Sequence, residues 1–271
     1  NLSGSWRVID KYGLVMNKSD GHSFQTHGDR KAEYAFEKFG VRSSFVTVNN
    51  PTSKVLILGD SFTFGSLLDN ENTFTTLLAK SNTQMTFLNA AAGGWGASDY
   101  TAYMETYCKQ INPNITLIIM SADDIGRMLR SNIYTYDQKL ELITRSEYEP
   151  SSKDRIKMLL NSFRLYSFLI ENSHLVQLAR STYLGMNTSR QKRTENQIPK
   201  ASGFGLMNVE SIDYSNKFSA SLFQYLSKIS KECGTELRVL YNGVQTKNNL
   251  GTYPTLEFIE YAKKVSFFEN G

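Results

Sequence analysis

The residues of this chain best placed to do chemistry are Ser61 and the glycine and acidic residues that recur at later strand ends. Ser61 closes the run Lys54-Val55-Leu56-Ile57-Leu58-Gly59-Asp60-Ser61. Four apolar residues in succession, Val55 to Leu58, read as a strand covered on both faces, and Gly-Asp-Ser stops it with a turn. Open α/β sheets bind ligands in the crevice outside the carboxyl ends of their strands, so this turn carries a hydroxyl to the ligand side. A serine hydroxyl is a poor nucleophile until a base takes its proton, and the oxyanion formed on attack needs donors aimed at it. The chain therefore has to be searched for donors and for a base.

Two further strand ends answer the first search. Met85 to Ala90 reads as a strand that runs into Ala91-Ala92-Gly93-Gly94-Trp95-Gly96, and Ile115 to Met120 reads as one that runs into Ser121-Ala122-Asp123-Asp124. In order, spacing and strand-end position, these blocks and the Gly-Asp-Ser turn resemble the SGNH, or GDSL, family of serine esterases and acyltransferases, bacterial envelope type, over roughly residues 54 to 125. The resemblance implies Ser61 as nucleophile and an oxyanion hole made of the Ser61 N–H, the Gly94 N–H and a third-block side chain. Asp60 and Asp124 would support it. Where that family has Gly-x-Asn-Asp, this chain has Asp123 in place of the asparagine. An ionised carboxylate repels an oxyanion; a protonated Asp123 would donate to it, and burial beside Asp124 raises one of the two carboxyl pKa values. The other reading of Asp123 and Asp124 is that they cap the following turn.

The search for a base finds three histidines, His22, His27 and His174. The Asp-x-x-His that ends the family's pattern has no counterpart near the carboxyl end. His174 lies in a helical segment away from any strand end and reads as structural. Asp20-Gly21-His22 looks like the missing block moved to the front, one residue short, so His22 or His27 could serve only if the amino-terminal leader reaches the crevice. The alternative expectation places the base beyond Gly271.

Composition sets the frame around these residues. A chain of 271 residues with 40% apolar content buries a full core as one decorated α/β domain. A net charge of +4 with scattered Lys and Arg gives no nucleic-acid signal. No run reaches the roughly 18 apolar residues of a membrane span. No metal-ligand spacing or phosphate-binding glycine loop occurs, so neither a metal nor a cofactor is expected. The two cysteines, Cys108 and Cys233, both fall in helical segments and read as buried free thiols. Beginning at Asn1 without a methionine, the chain reads as a piece of a longer, periplasmic or extracellular protein from which a signal or membrane anchor has been removed.

The elements that must position the site follow. Residues 1–50 form a leader expected to wrap the outside of the domain; its Gly40-Val41-Arg42 resembles an element upstream of the nucleophile strand in envelope relatives. Residues 51–271 form the α/β domain. Thr73 to Lys80 reads as a short helix with Phe74, Leu77 and Leu78 on one face. Tyr100, Tyr103, Met104, Tyr107, Cys108 and Ile111 repeat at helical spacing and predict a helix packed on the sheet, stopped by Pro113. From about 126 to 211 the chain leaves the sheet in a helical insertion, with a basic stretch at Arg190, Lys192 and Arg193, and is expected to cap the crevice. A helix ended near Gly234, a strand from Glu236 to Leu240 and a helix over Leu256 to Phe268 complete the pattern, one strand short of the expected sheet. The expected architecture is a three-layer α/β/α sandwich around a mostly parallel, flavodoxin-like sheet. The expected substrate is an acylated glycan; the alternative is an impaired member of the same fold that binds glycan or serves in polysaccharide assembly. The sequence says nothing of oligomeric state.

Overall fold

The structure is a computed structural model, and it describes residues 6–10, 13–121, 124, 127–128, 133–136, 143–145, scattered residues between 152 and 179, and 209–242. At its centre lie four parallel strands, β5 (Ser53–Gly59), β6 (Met85–Asn89), β7 (Ile115–Ser121) and β10 (Glu236–Asn242), in the order β10-β7-β5-β6. The strand that ends at the candidate nucleophile is an inner one. Leu56, Ile57 and Leu58 are fully buried, as a strand covered on both faces requires.

The two faces are separable residue by residue because side chains alternate along a strand. Leu56 and Leu58 of β5, with Ile118 and Met120 of β7, share one core with Tyr100, Tyr103 and Met104 of α3 (Ala97–Ile111) and with Leu222 and Leu226 of α4 (Val209–Cys233). Ile57 faces the other way. Its register partner on β6 is Asn89, whose amide donates to Thr63 O of α1 (Ser61–Phe64) and Thr75 Oγ1 of α2 (Phe74–Ser81). Helices thus cover both faces of a parallel sheet, the α/β/α arrangement expected. The stripe of α3 is core, as its spacing predicts, with Tyr107 half-buried against it, and α3 ends at Ile111 with Asn112 as its C-cap, just before Pro113.

Three elements depart from expectation. α2 forms where predicted, but Phe74, Leu77 and Leu78 are 37–55% exposed, and its buried face is Thr75, Thr76 and Ala79. A polar network selects that face: Thr76 Oγ1 donates to Asn70 O at 2.6 Å, and Thr73 caps the helix through the Thr76 N–H. Next, Cys108 and Cys233 are not free thiols. They form a disulfide between α3 and α4, with Cα atoms 6.1 Å apart, because the two helices lie side by side on the same sheet face, a proximity that 125 residues of separation conceal. Finally, the insertion holds strand pairing, an antiparallel pair of β8 (Tyr134–Tyr136) and β9 (Ile143–Arg145). Its basic stretch and the helix expected over Leu256 to Phe268 lie outside the described residues.

The leader is more than a wrapper. β1 (Arg7–Ile9) and β2 (Val15–Asn17) form an antiparallel ribbon, and β3 (Gly21–His27) and β4 (Arg30–Phe36) form a hairpin. Tyr34 and Phe36 of β4 pack with Phe64 of α1 and Ala91. Arg42, 3% exposed, donates to the carbonyls of Phe64, Gly65 and Leu68 and to Asn70 Oδ1, closing off the chain just after the nucleophile turn. Burial lowers its pKa to about 10, yet it stays a cation at any neutral pH.

Of these features the disulfide is the most directly measurable. Replacing Cys108 and Cys233 together by alanine is expected to lower unfolding free energy by about 2–5 kcal/mol, read as a lower urea midpoint. An unchanged midpoint would show that the α3–α4 pairing does not depend on the bridge.

Candidate active site

Ser61 is the first residue of α1, directly after β5, and Asp60 is its N-cap. The Asp60 side chain accepts the Phe62 N–H at 2.9 Å, which fixes the turn, and Ser61 is half-buried. Neither the Ser61 hydroxyl nor its N–H makes a hydrogen bond among the described residues, and neighbouring Phe62 is 73% exposed. The second block lies against it: a Cβ on Gly93 would stand 3.7 Å from Ser61 Cβ. Gly94 has φ of +79°, a left-handed conformation that favours glycine, and its N–H is likewise unengaged among the described residues. Two donors and one hydroxyl therefore share one rim.

Beneath that rim lies a buried polar cluster. Arg127 Nη1 bridges Asp60 Oδ2 at 2.9 Å and Asp124 Oδ1 at 3.1 Å. Asp124, fully buried, also accepts from Tyr100 OH at 2.6 Å and from Ser121 N at 2.7 Å and Oγ at 3.0 Å. The turn that follows it, which Asp123 and Asp124 were expected to cap, lies outside the described residues. Burial lifts the Asp124 carboxyl to about 6, against the pull of its hydrogen bonds from Tyr100 and Ser121. Burial and the neighbouring carboxylate hold the Tyr100 phenol well above its usual range. Asp99, in the first turn of α3, accepts the Gly96 N–H at 2.9 Å, and burial raises it too, to about 6.

The predicted residues divide accordingly. Ser61, Gly94, Asp60 and Asp124 are brought together. Asp123 and His174 lie outside the described residues. His22 and His27 sit exposed on β3, paired in register with Ala35 and Arg30, and neither hydrogen-bonds Ser61. Arg127 and Tyr100 were not singled out from sequence. The spacing of Arg127 three residues after Asp124 on a helical turn was the one available signal for the ion pair. Among the described residues no group of three or more His, Cys, Asp or Glu could hold a metal ion.

Solved structures to which the chain is similar are of the GDSL and SGNH kind. A protein from Desulfitobacterium hafniense described as lipolytic and of the G-D-S-L family matches at 16% identity over 79% of this chain and 99% of its own, with a TM-score of 0.25. A catalytic mutant of the acetylxylan esterase Axe2 from Geobacillus stearothermophilus matches at 13% over 70% and 77%, with a TM-score of 0.26. The SGNH-hydrolase family esterase AlinE4 matches at 13% over 82% and 97%, with a TM-score of 0.26. No protein-family model and no curated protein matches the sequence. The superpositions are weak, and it is the strand order and the two covered faces that define the fold.

Asp99 makes the polar cluster measurable by pH. Its carboxyl holds a proton in the folded state up to about pH 6, whereas the unfolded chain releases it near 3.8, so folding loses stability from this group as pH rises through that window. Asp99→Asn is expected to flatten the fall in melting temperature between about pH 4 and pH 6. An unchanged slope would remove Asp99 as its source.

Proposed function

We propose that the protein is a serine-dependent carboxylester hydrolase or O-acyltransferase acting on acylated, above all O-acetylated, glycans of the cell envelope or exopolysaccharide. One observation carries the reading: a half-buried serine at the end of an inner parallel strand, its hydroxyl and N–H unengaged among the described residues, beside the glycine block that holds the unengaged N–H of Gly94. Attack of Ser61 Oγ on an ester carbonyl would place the developing oxyanion between those two N–H groups. With Asp123 in the third-block position, activity is expected to depend on that carboxyl being protonated, since losing one oxyanion donor costs on the order of 10²–10³ in rate. The names of the similar structures, lipolytic protein and esterase, agree with ester chemistry. The word acetylxylan in one of them is of a kind with an acetylated glycan. The Cys108–Cys233 bridge supports an oxidising compartment, periplasmic or extracellular. The helical insertion over about 126–211 is proposed to overhang the crevice and set substrate size.

A second reading keeps the fold and the crevice without turnover: a protein that binds glycan or serves in polysaccharide assembly. It is favoured by the lack of any base hydrogen-bonded to Ser61 among the described residues. Acetate release from an O-acetylated polysaccharide separates the two. The enzyme reading expects release that is abolished in Ser61→Ala; binding of the polysaccharide with no acetate released, by either variant, would support the second.

A further inference from the structure

The half-buried side chain that the ester chemistry leaves unused is Arg7. It stands on β1 and is held there on a firm support. Asn17, its register partner on β2, donates to the carbonyls of Gly40 and Ala91, each at 3.0 Å, and Trp95 Nε1 donates to Val15 O at 2.5 Å. The ribbon is thereby stitched to the second block itself. A Cβ placed on Gly93 would lie 3.8 Å from Arg7 Nη1 and 3.7 Å from Ser61 Cβ, and one on Gly94 would lie 4.0 Å from the same Nη1. Arg7 and Ser61 therefore flank a single glycine, and the absence of a side chain there keeps open the space between guanidinium and hydroxyl.

Among the described residues no hydrogen bond or ion pair compensates the charge in that space. Arg7 Nε is buried with no hydrogen-bond partner, and no ion pair reaches the guanidinium among the described residues. The opposite charge it feels is Asp99, which is engaged by the Gly96 N–H. A guanidinium whose Nε is buried without a bonded partner is costly to keep. Burial lowers the pKa of Arg7, and Asp99 only partly offsets this. Structural arginines in this fold are spent differently: Arg42 makes four hydrogen bonds, and Arg127 bridges two carboxylates. A planar fork with free donors matches an oxyanion with two acceptor oxygens.

We propose that Arg7 is an anion-recognition residue of the substrate site, holding a carboxylate or phosphate group carried by the glycan close to the ester that Ser61 attacks. The substrate class becomes an acidic glycan, bearing either uronate or phosphate. This rests on the reading of Ser61 as the reacting group for its placement on the substrate, while the binding of the anion can be measured without turnover.

The chain's two tryptophans, Trp6 and Trp95, flank the site in sequence, one beside Arg7 and the other beside Gly94, so intrinsic fluorescence reports on it. Wild type, Ser61→Ala, Arg7→Gln and Arg7→Lys are titrated with sodium glucuronate, inorganic phosphate and, as neutral control, methyl glucoside. Folding of each variant is checked by its melting temperature. A saturable change is expected with glucuronate or phosphate in wild type and in Ser61→Ala, with none for methyl glucoside. Whichever anion saturates identifies the group. Arg7→Gln should weaken it by about ten-fold or more, the loss of a charged hydrogen bond. Arg7→Lys keeps the charge and loses the fork, and should fall between; it serves alone if Arg7→Gln does not fold. Equal affinity in the Arg7 variants, or no saturable change with either anion, overturns the proposal. Anion binding that survives in a protein releasing no acetate would instead count against the ester reading alone.

Discussion

One guanidinium between two buried carboxylates holds the crevice together. Asp60 follows β5 and Asp124 follows β7, so the Arg127 bridge fastens the strand ends of the first and third blocks to each other. Breaking such a contact from one side leaves a buried charge uncompensated, commonly a loss of about 3–5 kcal/mol. The geometry of the nucleophile turn depends on the same contact. Asp60 has one oxygen on the Phe62 N–H and the other on Arg127, so the residue that caps α1 is also the residue that locks α1 to the third block. Tyr100 extends the lock to the opposite sheet face by donating to Asp124 from α3.

The amino-terminal leader completes the site from outside the sheet. Arg42 satisfies carbonyls that the chain exposes on leaving α1, where no regular ladder takes them up. Asn17 does the same for Ala91 at the second block. Arg7 comes from the same ribbon and brings a further charge to the rim. The crevice is thus lined from two sources, strand ends that carry Ser61 and the unengaged N–H groups, and a leader that carries Arg7. Substrate preference can change through the second without disturbing the first.

Much of this was legible in the sequence where local pattern decides. Val55 to Leu58 could be read as a doubly covered strand, and the tyrosine stripe of α3 as core, because periodicity reports burial directly. The nucleophile turn and the glycine block could be read because strand ends are where such residues have to lie. What escaped the sequence was set by contacts between distant residues. The Cys108–Cys233 bridge needs the relative placement of α3 and α4. Arg127 and Arg7 matter through partners or spaces that sequence spacing does not show. α2 inverts the ordinary rule: Asn70, Thr73 and Asn89 satisfy the hydroxyls of its threonines in the interior, so Phe74, Leu77 and Leu78 are left outside. His22 and His27 are exposed on a hairpin strand of the leader, and neither hydrogen-bonds Ser61.

The central claim is that Ser61 is an activated nucleophile at the rim of this crevice. Labelling the protein with a fluorophosphonate probe and mapping the adduct by peptide mass tests it most directly, with Ser61→Ala as control. The account predicts one stoichiometric adduct on the peptide containing Ser61, absent from the variant. A folded protein that takes up no probe at Ser61 would contradict it.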